Sequence, residues 1–262
     1  MKLTLKIFLT GIAAAFTCST VNAQIVYSNN FSLGAAININ GTAPTLANAY
    51  AGGSSSAVWN SVTGTHDLNA SLANGTVDTS QNTVLLPFSP QSGYIYKLIA
   101  SVTFTSSPGS WVSMGFAGAN PVNQTSARFA DSSVNGIDWM IANPATANEQ
   151  FFAGPKTTPA AGIGSQNLMN GLGTYTISVE LDTMGPKWEI SSFINGLQLG
   201  TNFTYSANPT IVAVGYGQNT LTSGSGVHWN SLDLLAETPE PSTLALTGLG
   251  LVGVYRFRRK QK

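Results

Sequence analysis

The chain has 262 residues, with 11 basic and 11 acidic side chains. The balance is uneven along the sequence: residues 24–238 contain four bases and ten acids, and four minus ten gives this segment a formal net charge of −6. An acidic segment without a basic patch argues against nucleic acid as a partner, and it disfavours direct binding of an acidic polysaccharide unless a divalent cation bridges the two.

The N-terminal residues 1–23 have the pattern of a secretory signal peptide. Lys2 and Lys6 form a basic segment, a short apolar stretch follows at 7–16, and small residues before Gln24 favour cleavage between Ala23 and Gln24. The only cysteine of the chain also lies in this segment. We therefore expect a signal helix that is removed on export, and a mature chain that is stable without disulfides.

Apolar and polar residues alternate from Tyr94 to Thr105, and again from Val112 to Phe116. A period of two places every second side chain on the same face, which predicts strands with one face on a core. Clusters of Gly, Pro, Asn and Ser separate such runs, as at 106–110. No segment shows a sustained apolar repeat of 3.6 residues, so the pattern indicates an all-β protein.

Asp131, Ser133 and Asn135 place oxygen-bearing side chains at alternate positions, and a glycine follows. This spacing is typical of the start of a calcium loop, in which alternate side chains converge on a hard cation. Ala142 stands where an EF-hand carries its bidentate Glu, so an EF-hand is excluded. Two interpretations stay open, an Asx-rich hairpin loop and a calcium site, and no other cofactor is predicted.

The alternating pattern returns from Tyr175 to Asp182. The segment 188–205 is predicted as a hairpin, because Asn195-Gly196 supplies the positive φ angles of a type I′ turn. The runs 210–216 and 227–235 are predicted as the closing strands.

Many strands without helices predict one antiparallel β-sandwich of jelly-roll type, which we assign to residues 24–236. The C-terminal half resembles concanavalin A-like and laminin-G-like sandwiches in the runs 175–182, 188–196 and 229–233. The resemblance is mostly one of strand and hairpin pattern, so it implies a fold rather than an activity.

Glycosidases of the concanavalin A-like superfamily resemble one another in an E-x-D-x-x-E strand, whose carboxylates act as nucleophile, assisting acid and general acid/base. Here Glu180-Leu181-Asp182 begins that pattern, but Gly185 stands at the third position. The resemblance therefore implies that the general acid/base is missing. The alternative interpretation is two solvent-facing acids that end a strand, and we assign no catalytic residue and predict that the chain is not an enzyme.

The five tryptophans offer flat faces that could stack on sugar rings, although most tryptophans of a sandwich lie in its core. Trp111 follows Pro108-Gly109-Ser110 and ranks first of the five for exposure, but for each single tryptophan we expect a place in the core. No ligand-binding residue is assigned.

The C-terminal segment, residues 237–262, has three parts. Pro239, Glu240 and Pro241 form a stiff extended strip, because proline fixes its own φ angle and pushes the preceding residue towards extended geometry. Residues 242–255 carry no charge and predict a helix of about 21 Å, shorter than the roughly 30 Å of a bilayer core. The end of the chain, 256–262, is basic and should stay cytoplasmic, which places the preceding domain outside; its predicted stop-transfer residues are Arg256, Arg258, Arg259 and Lys260.

This arrangement of a Pro-Glu-Pro signature, an apolar span and a basic end resembles the PEP-CTERM family of bacterial surface proteins. The resemblance implies recognition by an exosortase, a membrane-embedded processing enzyme, and an association with exopolysaccharide-producing Gram-negative bacteria. The alternative interpretation is a buried core helix followed by a disordered basic tail.

We therefore predict a non-catalytic surface or extracellular-matrix protein. It is exported through its signal peptide, anchored as a precursor in the membrane, processed by an exosortase and associated with exopolysaccharide. A carbohydrate-binding module, with or without calcium, is the first alternative, and a glycan hydrolase is the second. The expected partners are the processing enzyme, the membrane and a polysaccharide, with no nucleic acid.

Overall fold

A computed structural model of the chain describes residues 22–31, 39–61, 82–105, 111–120, 129, 134–143, 149–153, 164–219 and 227–238. These ranges contain only strands and loops. The strands are β1 (Asn22–Asn30), β2 (Leu46–Ala47), β3 (Asn60–Ser61), β4 (Asn82–Pro87), β5 (Ile95–Phe104), β6 (Trp111–Ala117), β7 (Gly136–Ala142), β8 (Glu149–Ala153), β9 (Gly164–Gln166), β10 (Gly173–Asp182), β11 (Glu189–Ile194), β12 (Leu197–Gln198), β13 (Phe203–Thr204), β14 (Ala213–Asn219) and β15 (Val227–Thr238).

The described strands pair into two antiparallel sheets. Sheet 1 has the order β12-β11-β10-β5-β15-β1-β2, with β13 also pairing with β11. Sheet 2 has the order β3-β4-β14-β6-β7-β8-β9. The chain crosses from sheet 2 to sheet 1 and back between β4, β5 and β6, so residues distant in sequence become neighbours. The predicted all-β antiparallel sandwich is confirmed.

Residues Ala23–Thr238 form one compact unit, which we call the sandwich. The predicted domain at 24–236 falls within it, and β15 continues two residues beyond that boundary. No helix in the described ranges is long and apolar enough to cross a membrane. The predicted signal helix and the predicted span at 242–255 lie outside those ranges.

The alternating runs form the centre of sheet 1, and their period-two pattern decides which side chains enter the core. Along β5, Tyr96, Leu98, Ala100, Val102 and Phe104 are buried, while the residues between them keep partial exposure. β10 pairs with β5 over its whole length and repeats the alternation. The inner faces of both sheets share one large apolar cluster, and this shared core fixes the register of each strand.

The predicted hairpin at Asn195-Gly196 is present. Both residues have positive φ angles, 51° and 76°, and β11 pairs with β12 through Ile194 and Leu197 on either side of the turn. The returning segment, predicted as one strand from 197 to 205, is divided into the short strands β12 and β13. The hairpin therefore forms one edge of sheet 1.

Register places the ends of three strands in one row of sheet 1. Asp182, the last residue of β10, pairs with Ile95, the first residue of β5, and Ile95 pairs on its other side with Glu237 of β15. We call this end of sheet 1 the tail end, because the chain continues from β15 into the C-terminal segment here.

Candidate functional site

Four carboxylates lie on the outer face of sheet 1 at the tail end. Glu180 and Asp182 alternate with the buried Val179 and Leu181 on β10, so both point away from the core. Glu189 of β11 and Glu237 of β15 flank them in the same sheet. We call these four residues the acidic patch. Part of it borders an open depression of about 120 Å³, lined by Ile95, Glu180, Asp182, Glu189, Ile190, Ser191 and Asn202.

One lysine neutralises part of the acidic patch. Lys97 occupies the outer face of β5, and its Nζ lies 3.1 Å from Oε2 of Glu237 and 3.8 Å from Oε1 of Glu180. The lysine thus joins the two strands on either side of β5. Partial burial raises the pKa of Glu180, an effect that the positive charge of Lys97 opposes and the negative charge of Glu237 reinforces.

The remaining acids of the patch have local structural partners. Oδ1 of Asp182 accepts a hydrogen bond from the Met184 amide at 2.8 Å, which closes the turn after β10. Oε1 of Glu189 accepts one from the hydroxyl of Thr204 at 3.1 Å. The structure therefore brings Glu180 and Asp182 together on one face, as their spacing predicts, but gives each a role in holding strands and turns.

The pairing of Lys97 with Glu237 is the shorter of the two ion pairs on this surface, and sequence reasoning missed it. The sequence feature that could have indicated this pairing is the single basic residue, Lys97, at an outward position of the alternating strand β5. Its partners could not be read from the sequence, because β10 and β15 are placed beside β5 only by the long-range order of the sheet.

Of the three residues proposed for a calcium site, the structure describes only Asn135. Asn135 has a positive φ angle of 50°, and its carbonyl oxygen accepts a hydrogen bond from the Gly118 amide at 2.8 Å. Asp131 and Ser133 lie outside the described residues. Among the residues that the structure describes, no group of three or more His, Cys, Asp or Glu side chains is arranged to hold a metal ion. A calcium site here stays a prediction.

The five tryptophans differ in burial. Trp59, Trp139, Trp188 and Trp229 are buried, whereas Trp111 at the start of β6 keeps partial exposure. The buried Trp139 stacks on Phe152 with a ring-centroid distance of 4.2 Å, in a second apolar cluster on the outer side of sheet 2. Trp111 is thus the least buried of the five tryptophans.

Two carboxylates inside the sandwich were not singled out from the sequence. Asp138 shares the core-facing side of β7 with Met140, and neither of its oxygens has a hydrogen-bond partner in the structure as described. Burial raises its pKa well above the usual value. Glu149 is also buried, and its pKa is raised mainly by burial, against which the hydrogen bond from the Leu168 amide to Oε2 acts. The burial of Asp138 could have been suspected from its apolar neighbours in the run Ile-Asp-Trp-Met-Ile.

At the two ends of the chain, the structure describes only the residues next to or within the sandwich, from Asn22 onwards and up to Thr238. The predicted signal-cleavage residues Ala23 and Gln24 lie in the exposed first part of β1. At the other end, the sorting residues Pro239, Glu240 and Pro241 and the stop-transfer residues Arg256, Arg258, Arg259 and Lys260 lie outside the described residues. Glu237 and Thr238 are the last described residues before the sorting residues.

The C-terminal segment has a match among known protein families. Residues 237–260 match the family model of the PEP-CTERM protein-sorting motif. The chain carries a PEP-CTERM sorting motif. This motif indicates an exported, exosortase-processed protein that is anchored in the membrane through its C-terminus, and it confirms the predicted sorting signal. The match begins at Glu237, so it includes the last two residues of β15.

The sandwich itself is similar to solved structures at low sequence identity. With endo-1,3-β-glucanase from Streptomyces sioyaensis it shares 13% identity over 83% of this chain and 97% of that one, with a TM-score of 0.49. With the carbohydrate recognition domain of Emp47p it shares 9% identity over 82% of this chain and 96% of that one, with a TM-score of 0.46. With the exoplasmic/lumenal domain of VIP36 it shares 8% identity over 81% of this chain and 91% of that one, also with a TM-score of 0.46. No curated protein matches the chain in sequence. The fold assignment rests on the strand pairing of the chain itself.

Proposed function

We propose that the chain is a non-catalytic cell-surface or extracellular-matrix protein that an exosortase processes and that associates with exopolysaccharide. The observation that carries the proposal is the PEP-CTERM motif at 237–260, whose first two residues are also the last two residues of β15. The signal peptide at 1–23 provides export, and the segment 242–255 anchors the precursor until processing.

The geometry of the acidic patch supports a non-catalytic role. Glu180 would be the nucleophile of a glycosidase strand, but it lies opposite Lys97, which also binds Glu237. Asp182 closes a turn, and Gly185 offers no carboxylate at the position of the general acid/base. Because both acids have partners within the sandwich, we infer that they stabilise the sheet and its turn rather than attack a sugar.

Mass spectrometry of the mature protein tests the processing. The wild-type protein from cells with an exosortase should end close to Pro239–Pro241, and it should lack the apolar span and the basic end. The matched control is the double variant Pro239→Ala/Pro241→Ala, which keeps every charge of the motif but loses its stiff extended geometry. Recovery of the wild-type protein with its C-terminus at Lys262 would remove the proposal.

Carbohydrate binding is the second candidate, and the partial exposure of Trp111 is the observation that favours it. Stacking of a sugar ring on this indole should be lost in Trp111→Ala but retained in Phe203→Ala, which truncates a partly exposed aromatic residue of sheet 1 instead. A glycan array with and without a chelator measures both sugar binding and its dependence on calcium. Absence of binding at millimolar ligand would eliminate this candidate.

Hydrolysis of β-glucans is the remaining alternative from the sequence. Turnover that disappears in Glu180→Gln and in Asp182→Asn, with folding retained, would establish it. We expect no turnover above the background of the buffer for the wild-type protein, because the strand lacks a third carboxylate.

A further inference from the structure

The sorting motif and the folded sandwich share two residues. The motif match begins at Glu237, whereas β15 extends to Thr238. Glu237 is also the last residue of β15 in register with β5, where it pairs with Ile95. The first two residues of the motif are therefore held in sheet 1.

The side chain of Glu237 ties this strand end to its neighbour. Its Oε2 lies 3.1 Å from Nζ of Lys97, and the carboxylate side chain is only 15% exposed. Lys97 also faces Glu180 on the far side of β5, at 3.8 Å. One cation thus joins the ends of β10, β5 and β15, and its partial shielding from water makes the pairing stronger than that of a fully exposed ion pair.

A strand end that is held in a sheet is a poor substrate for a processing enzyme, because its backbone groups already have partners and cannot lie in an extended cleft. How far sheet 1 reaches along the chain therefore decides how much of the motif is accessible. The ion pair controls this length because fraying starts at strand ends, where few contacts oppose it.

We propose that the Lys97–Glu237 ion pair is a clasp that holds the end of β15 in sheet 1 and so confines exosortase cleavage to the bonds after Thr238. Lys97 and Glu237 are positioning residues in this arrangement, acting through the strand end that they hold. The inference rests on the proposed processing at the sorting motif.

The experiment compares variants of the full-length chain. Lys97→Met removes the cation from a site outside the motif, and Glu237→Gln removes the anion within it. Glu189→Gln is the matched control for Glu237→Gln, since it also removes one negative charge from the acidic patch but leaves the clasp intact. Lys97→Arg restores a cation and tests for rescue.

Two readouts are measured for each variant. Hydrogen exchange of the full-length protein in detergent reports the opening of residues 235–238. In Lys97→Met and Glu237→Gln, we expect exchange there to be about two to five times faster, and Glu189→Gln and Lys97→Arg should behave as the wild type. Mass spectrometry of the mature protein from cells with an exosortase should show the same two loosened variants acquiring C-termini that lie before Thr238.

The outcomes separate the clasp from the processing. Unchanged exchange in both loosened variants would overturn the clasp whether or not the chain is processed. Faster exchange with an unchanged C-terminus would overturn its role in positioning. An unprocessed wild type would instead overturn the proposed function, while the exchange data still decide whether the strand end is held. Global unfolding would also free β15, so a new C-terminus supports the clasp only where hydrogen exchange in the rest of the sandwich stays at the wild-type rate.

Discussion

Asp138 shows how a single residue departs from the pattern that builds the sandwich. Its neighbours across sheet 2 are Phe116 and Ala153, and both belong to the apolar core. The pKa of a carboxyl group in such surroundings is raised, because the charged form would lose its hydration without gaining a partner. The sequence alone does not reveal this cost, since an Asp within a strand equally fits the solvent-facing side.

We expect Asp138→Asn to stabilise the sandwich at neutral pH. The carboxyl ionises near pH 3.9 in the unfolded chain but only at higher pH in the folded one, so above about pH 4 the folded state binds more protons. The stability of the wild type should therefore fall as pH rises, by about 1.4 kcal/mol for each pH unit until the raised pKa is reached. The variant should lack this slope.

Urea unfolding from pH 4 to pH 8 measures the effect on the free energy of unfolding. Asp233→Asn, which removes a partly exposed carboxylate from the outer face of sheet 1, is the control and should keep the wild-type slope. A difference between wild type and Asp138→Asn that does not change with pH would contradict the prediction.

Individual strands could be predicted wherever one face meets water. The alternation in β5 and β10 and the Asn195-Gly196 turn are local signals, and the structure confirms all three. β7 and β8 gave no such signal, because both of their faces are largely buried and the alternation disappears. The order of strands within each sheet also lay beyond the sequence, since pairings such as β5 with β15 depend on contacts between distant segments.

Sheet 2 depends on a pair of glycines at its centre. Gly115 of β6 and Gly215 of β14 are register partners. A Cβ atom at Gly115 would overlap the Asp138 carbonyl oxygen, and one at Gly215 would overlap that of Val84, so neighbouring backbones occupy both positions. We expect Gly115→Ala to cost about 3 kcal/mol, because the strands would have to move apart.

Gly196→Ala is the matched control for that substitution. The turn glycine has a positive φ angle of 76°, but a Cβ atom there would meet nothing within 4 Å. Only the backbone conformation is strained, at a cost of about 1 kcal/mol. Urea unfolding should rank the wild type first, Gly196→Ala second and Gly115→Ala last, and an equal loss for the two variants would show that the close approach in sheet 2 is unimportant.

At the scale of the whole molecule, targeting was easier to predict than chemistry. The sorting motif is contiguous in sequence, so it could be recognised from Pro239, Glu240 and Pro241 without a structure, and the family match confirms a sorting motif at 237–260. A surface assembled from three strands, such as the acidic patch with Lys97, leaves no contiguous pattern. The excess of acids over bases at 24–238 predicted that this surface is negatively charged, but not that the charge lies at the tail end.

The sandwich should fold without either end of the chain. Its large core cluster runs from Val26 to Ala236, so every apolar contact of that cluster lies between the predicted signal-cleavage site and the sorting residues. A chain that keeps residues 1–23 and stops at Thr238 should therefore unfold cooperatively. If residues 1–23 serve export and 242–255 anchor the precursor, as proposed, this chain should also be exported and appear in the soluble fraction. Circular dichroism and membrane fractionation measure these outcomes, with the full-length Pro239→Ala/Pro241→Ala variant as the control that keeps the anchor and should remain with the membranes. If the shortened chain lacked a cooperative transition, the sandwich would need its C-terminal segment in order to fold. If it sedimented with the membranes, residues 239–262 would not be what retains the precursor there.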